Sequence, residues 1–134
     1  MAASANRPTA AADAVVASAR AGEPDRYLAA LLAPPAARSG LLALAAFAGE
    51  IARVPYIASS EPAIGEIRLQ WWRDALQPAG EAAARTGNPI ADALRAAARS
   101  HALPSALLLD IIEARSLDVA GEAMADDAAL HSHL

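Results

Sequence analysis

Ile64-Gly65-Glu66-Ile67-Arg68-Leu69-Gln70-Trp71-Trp72-Arg73-Asp74-Ala75-Leu76 reads as one helix, and it holds both tryptophans of a chain that otherwise has one Phe and two Tyr. At about 100° per residue, Ile64, Ile67, Trp71 and Ala75 fall on one stripe and Leu69, Trp72 and Leu76 on its neighbour. Arg68 lies between the stripes, and Glu66, Gln70, Arg73, Asp74 and Gln77 fill the opposite arc. That position predicts an inward arginine. Its guanidinium cannot neutralise, and a buried unpaired charge is costly, so an anion is expected to meet it. Two readings stay open. Arg68 either snorkels to the rim or pairs with a carboxylate on a neighbouring helix, Asp118 or Glu50, or it faces a cavity that takes an anionic substrate.

Outward from that helix, prolines and glycines divide the 134 residues into an all-helical array with no strand-like alternation. A first helix is predicted from Ala10 to Ala21, stopping at Gly22-Glu23-Pro24. A short one runs from Asp25, as cap, to Ala33, before Pro34-Pro35. Ala36 to Val54 is apolar on most sides, as helices inside bundles are, and Pro55 is expected to end it. Ser59 or Ser60 suits the start of the tryptophan helix, which stops near Pro78. Asn88-Pro89 places a cap and a first helical residue for Ile90 to His101. Pro104 opens a helix closed by Gly121, and Asp126-Asp127 starts another.

Composition excludes several classes. The chain is 55% apolar and 19% charged, so it is built to bury a core rather than to stay disordered. A net charge of −4 with no basic run argues against nucleic acid as a partner. There is no cysteine, hence no disulfide, thiolate nucleophile or thiolate metal site. The longest unbroken apolar run, Leu41 to Ala48, is far below the roughly 18 residues that suggest a spanning helix. The Ala/Ser-rich opening carries Asp13 and lacks a basic amphipathic face. A cytoplasmic location is the expectation.

Two further charge placements are candidates for chemistry. Glu50 flanks the Leu44, Phe47, Ile51 and Val54 stripe, with Arg53 three residues on. Arg115 and Asp118 share the side of Leu107, Leu108 and Ile111. Either pair fits an i,i+3 ion pair, and Asp118 also fits a partner for Arg68 or a carboxylate aimed into a cavity. His101 shares the stripe of Ile90, Leu94 and Ala97 and reads as a core or edge histidine. His131 and His133 are two apart, a helical spacing that does not converge on one metal, and read as solvent-facing. No nucleophile elbow, phosphate loop or Cys/His metal pattern occurs.

These residues resemble the squalene/phytoene synthases, which join two prenyl diphosphates head to head in an all-α isoprenoid-synthase fold. The resemblance rests on Asp25-Arg26-Tyr27-Leu28 with Pro34 and Arg38, on Leu44 through Val54, on Gly65 through Leu76, and on Ile111 through Asp118. It is most similar to a divergent branch that includes the mitochondrial assembly factors of respiratory complex I. The resemblance implies an N-terminal extension over 1–24 and a partial, apparently truncated, synthase-like domain over 25–134, the N-terminal half of a helical bundle.

It also implies chemistry. Ionising an allylic diphosphate needs Mg2+ held by two acid-rich motifs on facing helices. The first motif, Asp-Asp-x-x-Asp in active members, falls on Gly49-Glu50-Ile51-Ala52-Arg53, where Glu50 is the retained acid and candidate metal ligand. Arg53 reverses a charge and, with Arg68, is a candidate contact for the diphosphate. Trp71, Trp72 and Asp118 are candidates for the cavity wall. The second motif would lie beyond Leu134. Two functions are therefore carried forward: a prenyl transferase, inactive as this chain, or a non-catalytic binding or assembly module. Implied partners are a prenyl diphosphate, a membrane periphery and, through uncovered apolar surface, a second copy.

Overall fold

The computed structural model describes residues 2–57, 60–77 and 85–124, with side chains described for 10–57, 60–77 and 85–121. Those residues form six α-helices and no strand: α1 (Ala2–Gly22), α2 (Pro24–Leu31), α3 (Pro35–Ile57), α4 (Pro62–Leu76), α5 (Pro89–Ser100) and α6 (Ser105–Met124). The all-α expectation holds. Four of these helices begin on proline, whose missing N–H costs nothing in a first turn and whose φ is already helical. The expected helix at Asp126 and both His131 and His133 lie outside the described residues.

Several boundaries differ from the sequence reading, each for a physical reason. The first helix begins at Ala2 rather than Ala10, consistent with the alanines in its opening turns. Asp25 is not a cap: Glu23 holds that position without a side-chain hydrogen bond, and Asp25 sits in the first turn of α2, where the helix dipole favours a carboxylate. Pro55 does not end α3, which continues to Ile57 with the proline inside it. The proline deprives the Ile51 carbonyl of its partner, but Ile51, Val54 and Pro55 are all buried, which offsets that loss. Gly121 does not close α6, which runs on to Met124. Gly121 keeps an ordinary negative φ, and a helical glycine costs only about 1 kcal/mol relative to alanine.

The Asn88-Pro89 start is borne out in detail. Asn88 Oδ1 accepts from Ile90 N at 2.9 Å and Ala91 N at 3.2 Å. Asp92 Oδ1 accepts from Thr86 N at 2.8 Å and from Thr86 Oγ1 at 2.9 Å, which ties the preceding loop to the helix. At the other end of α5, Leu103 N donates to Ala98 O at 3.0 Å, and Ala102 takes the left-handed conformation, φ 50°. This is a Schellman stop with alanine where glycine is usual, followed by Pro104.

The chain divides into two compact units with their boundary inside α3. The first comprises residues 1–50 and 78–104. Here α1 packs on α2 and on α5, and the core is made largely of small residues: Ala19, Ala30, Ala43, Ala45, Ala46, Ala91 and Ala97 around Phe47 and Leu94. Glycine lets helices touch within it: a Cβ on Gly40 would stand 3.3 Å from the ring of His101 and 3.6 Å from Ala97 Cβ. The second unit comprises residues 51–77 and 105–134. It is centred on the packing of α4 against α6, with Ile51, Val54, Leu69, Trp72, Leu76, Leu108, Ile112 and Val119 buried.

Among the described residues α3 is long and apolar enough to cross a membrane by length and composition, although 56% of its most apolar window is buried. Counting unbroken apolar runs misses it, since Arg38 and Glu50 flank the Leu41 to Ala48 run within the same helix. Its burial is that of a core helix.

Candidate functional site

In α4 the tertiary structure chooses between the two apolar stripes. Gly65, Leu69, Trp72 and Leu76 are buried, while Ile64, Ile67 and Trp71 are 41%, 69% and 40% exposed. Arg68 is therefore exposed, and the inward placement expected of it is wrong. It lies next to the buried stripe on the side of the outward one, where an arginine remains in water at no desolvation cost. Trp71 and Trp72 touch edge to face, ring centres 5.1 Å apart and planes at 90°, with Trp72 inside and Trp71 at the surface.

The anion-bound arginine of this helix is Arg73. It flanks the buried stripe on the other side, and its side chain is 17% exposed. Arg73 Nε donates to Glu113 Oε1 of α6 at 2.7 Å, and Nη1 lies 3.7 Å from Glu66 Oε2 and donates to Gln70 Oε1 at 3.1 Å. Glu66 Oε1 in turn accepts from Ser116 Oγ at 2.6 Å, and Gln70 Nε2 donates to Asp74 Oδ1 at 2.9 Å. The polar arc of the helix thus joins α4 to α6 along one seam. The sequence contained a signal for it: Arg73 is one turn from Gln70 and two turns from Glu66, on the same face of the helix, an arrangement that concentrates acceptors on one guanidinium.

Asp118 is not drawn to Arg68. It is exposed and accepts from Arg115 Nη1 at 3.1 Å, three residues away, the local alternative open at the outset. Glu50 and Arg53 lie on opposite sides of the boundary between units, Glu50 half-buried and Arg53 exposed. His101 is an edge residue: its N–H donates to Ala97 O at 2.9 Å as α5 ends, and its ring lies over Gly40.

An open cavity of about 320 Å³ lies in the first unit, lined by Arg26, Ala29 and Ala30 of α2 and Leu41, Leu44 and Ala45 of α3. It is apolar apart from Arg26, which is 3.8 Å from Glu23. Its size is at the lower end for small-molecule sites.

A family model for squalene/phytoene synthase matches residues 19–134. The chain belongs to the squalene/phytoene synthase family. No curated protein and no solved structure matches it. The match begins in the last turn of α1 and takes in all of α2 to α6.

Members of this family generally use Mg2+, and Gly49-Glu50-Ile51-Ala52-Arg53, the stretch that the resemblance reads as the first acid motif, does not fit that ion. Mg2+ requires near-octahedral oxygen coordination at about 2.1 Å. Glu50 supplies one carboxylate, Gly49 supplies no side-chain donor, and Arg53 brings a positive charge. Among the described residues no group of three or more His, Asp or Glu is gathered as a metal site.

Proposed function

We propose that this squalene/phytoene synthase family chain is a non-catalytic helical scaffold, a binding or assembly module rather than an agent of prenyl transfer. The observation that carries the reading is the donor set at Gly49-Glu50-Ile51-Ala52-Arg53. Diphosphate ionisation needs cations that bridge its oxygens and take up the developing charge, and one carboxylate beside an arginine favours an anion over a divalent cation. Arg53 and Arg68, both exposed, are the proposed contacts for a diphosphate or another anionic group, and Glu50 is the residual acid. The likeness to the complex I assembly-factor branch supports the same reading, and the cytoplasm is the proposed location.

Calorimetry of the full chain with Mg2+ and with a non-hydrolysable prenyl diphosphate analogue tests it. The expected result is no magnesium-dependent binding, with any analogue binding unaffected by chelator. Tight binding that requires magnesium and disappears in Glu50→Ala would overturn the proposal and restore prenyl transfer.

A further inference from the structure

The face of α4 turned away from its buried stripe carries Ile64, Ile67 and Trp71, all exposed. Three large apolar side chains at helical spacing, with Ser60 in line before them, make a strip that nothing in this unit covers. One edge of the strip is charged. Arg68 and, seven residues earlier, the cap residue Glu61 fall within about 20° of each other at 100° per residue, and both are exposed. Glu61 makes no side-chain capping bond, and among the described residues neither it nor Arg68 has an ion-pair partner. They are two turns apart, about 10 Å of rise, and so do not pair within one chain.

We propose that this strip is the contact between two copies of the chain, with the two α4 helices antiparallel across a two-fold axis. In such a pair the same edge of both helices meets, and every contact occurs twice. Placing Ile64 opposite the partner's Ile67 brings Trp71 over the partner's Ser60. Arg68 then stands two residues, about 3 Å of rise, from the level of the partner's Glu61, within reach of a guanidinium. Charge selects this register. Sliding the helices until Ile67 opposes the partner's Trp71 separates Arg68 and the partner's Glu61 by about 13 Å of rise and leaves both unpaired. One helix face is smaller than a standard interface, so the dimer is a weak one. The inference does not rest on the proposed function: it holds whether or not the chain binds magnesium, and the two fail separately.

Sedimentation equilibrium on the full chain, up to about 100 µM, tests it. Expected is a monomer–dimer equilibrium that Arg68→Glu and Glu61→Arg each weaken about tenfold, since each sets two pairs of like charges together. Mixing the two variants in equal amounts is expected to restore the wild-type affinity, because every pair across the mixed dimer is again unlike. Ile67→Asp should abolish the dimer. Both charge positions are exposed and unpaired in the monomer, so thermal unfolding of dilute samples should not change. A chain that stays monomeric throughout would overturn the inference. Dimers indifferent to both charge reversals, or variants that fail to recover on mixing, would place the contact elsewhere and overturn it equally. A monomer whose tryptophan emission shifts only with phosphatidylglycerol vesicles would give the strip to a lipid surface instead.

Discussion

The two units are held together by opposite means. In the first, alanine and glycine bring helices close enough for Gly22 and Gly49 to touch, and an atom added there must displace backbone by a few tenths of an ångström. In the second, α4 and α6 interlock through large apolar side chains and an arginine seam, and the chain cannot lose them. The difference follows from what each packing mode stores: close backbone approach leaves little room for a side chain, whereas bulky cores leave a cavity when one is shortened.

The sharpest way to break the comparison is at the paired tryptophans. Trp72→Ala removes a buried ring and is expected to cost about 3–5 kcal/mol, whereas Trp71→Ala, at a half-exposed position, should cost about 1 kcal/mol or less. Denaturant unfolding measures both, and equal losses would mean that the inner stripe has been misassigned. Next in size is the loop cap of the first unit. Asn88→Ala leaves two N–H groups without their acceptor and is expected to cost about 1 kcal/mol, read in the same experiment.

The arginine seam comes third. Glu113 is 60% exposed, so solvent screens the pair, and a double-mutant cycle on Arg73 and Glu113 should give a coupling of about 0.5–1 kcal/mol that shrinks in high salt. The corresponding cycle for Arg68 and Asp118 should give a coupling near zero, since Asp118 already pairs with Arg115. A measurable Arg68–Asp118 coupling would contradict the outward placement of Arg68. The smallest effect compares two glycines. A Cβ on Gly121 meets nothing within 4 Å, so Gly121→Ala should stabilise α6 by about 0.5–1 kcal/mol. Gly49→Ala gains the same helix propensity but adds its methyl group against Gly22, so its midpoint should rise by less or fall. A similar rise in both would show that the helix crossing has slack.

Among the described residues the six helices and most of their starts were legible because proline and asparagine act locally: Pro89 needs only its own missing N–H, and Asn88 needs only the amides two and three residues on, whereas neither Ser59 nor Ser60 caps α4, where Glu61 holds that position. Stops were less legible. Pro55 and Gly121 weaken a helix by amounts that the burial of neighbours or an ordinary helical φ can override, and neither condition is visible from the residue type. Of the candidate residues, the Arg115–Asp118 pair was readable from spacing alone, while the anion expected for Arg68 was found instead on Arg73.

By itself the sequence determined the all-α class, the segmentation by proline, and the family, through Gly65 to Leu76 and its neighbours. It also determined the poverty of donors at Gly49 to Arg53, because charge type does not depend on folding. Only the tertiary structure decided which of two apolar stripes on α4 turned inward, since both satisfy the helical period and the choice depends on where α6 lies. The same is true of Gly49: its close approach to Gly22, which lies far away along the chain, exists only after folding.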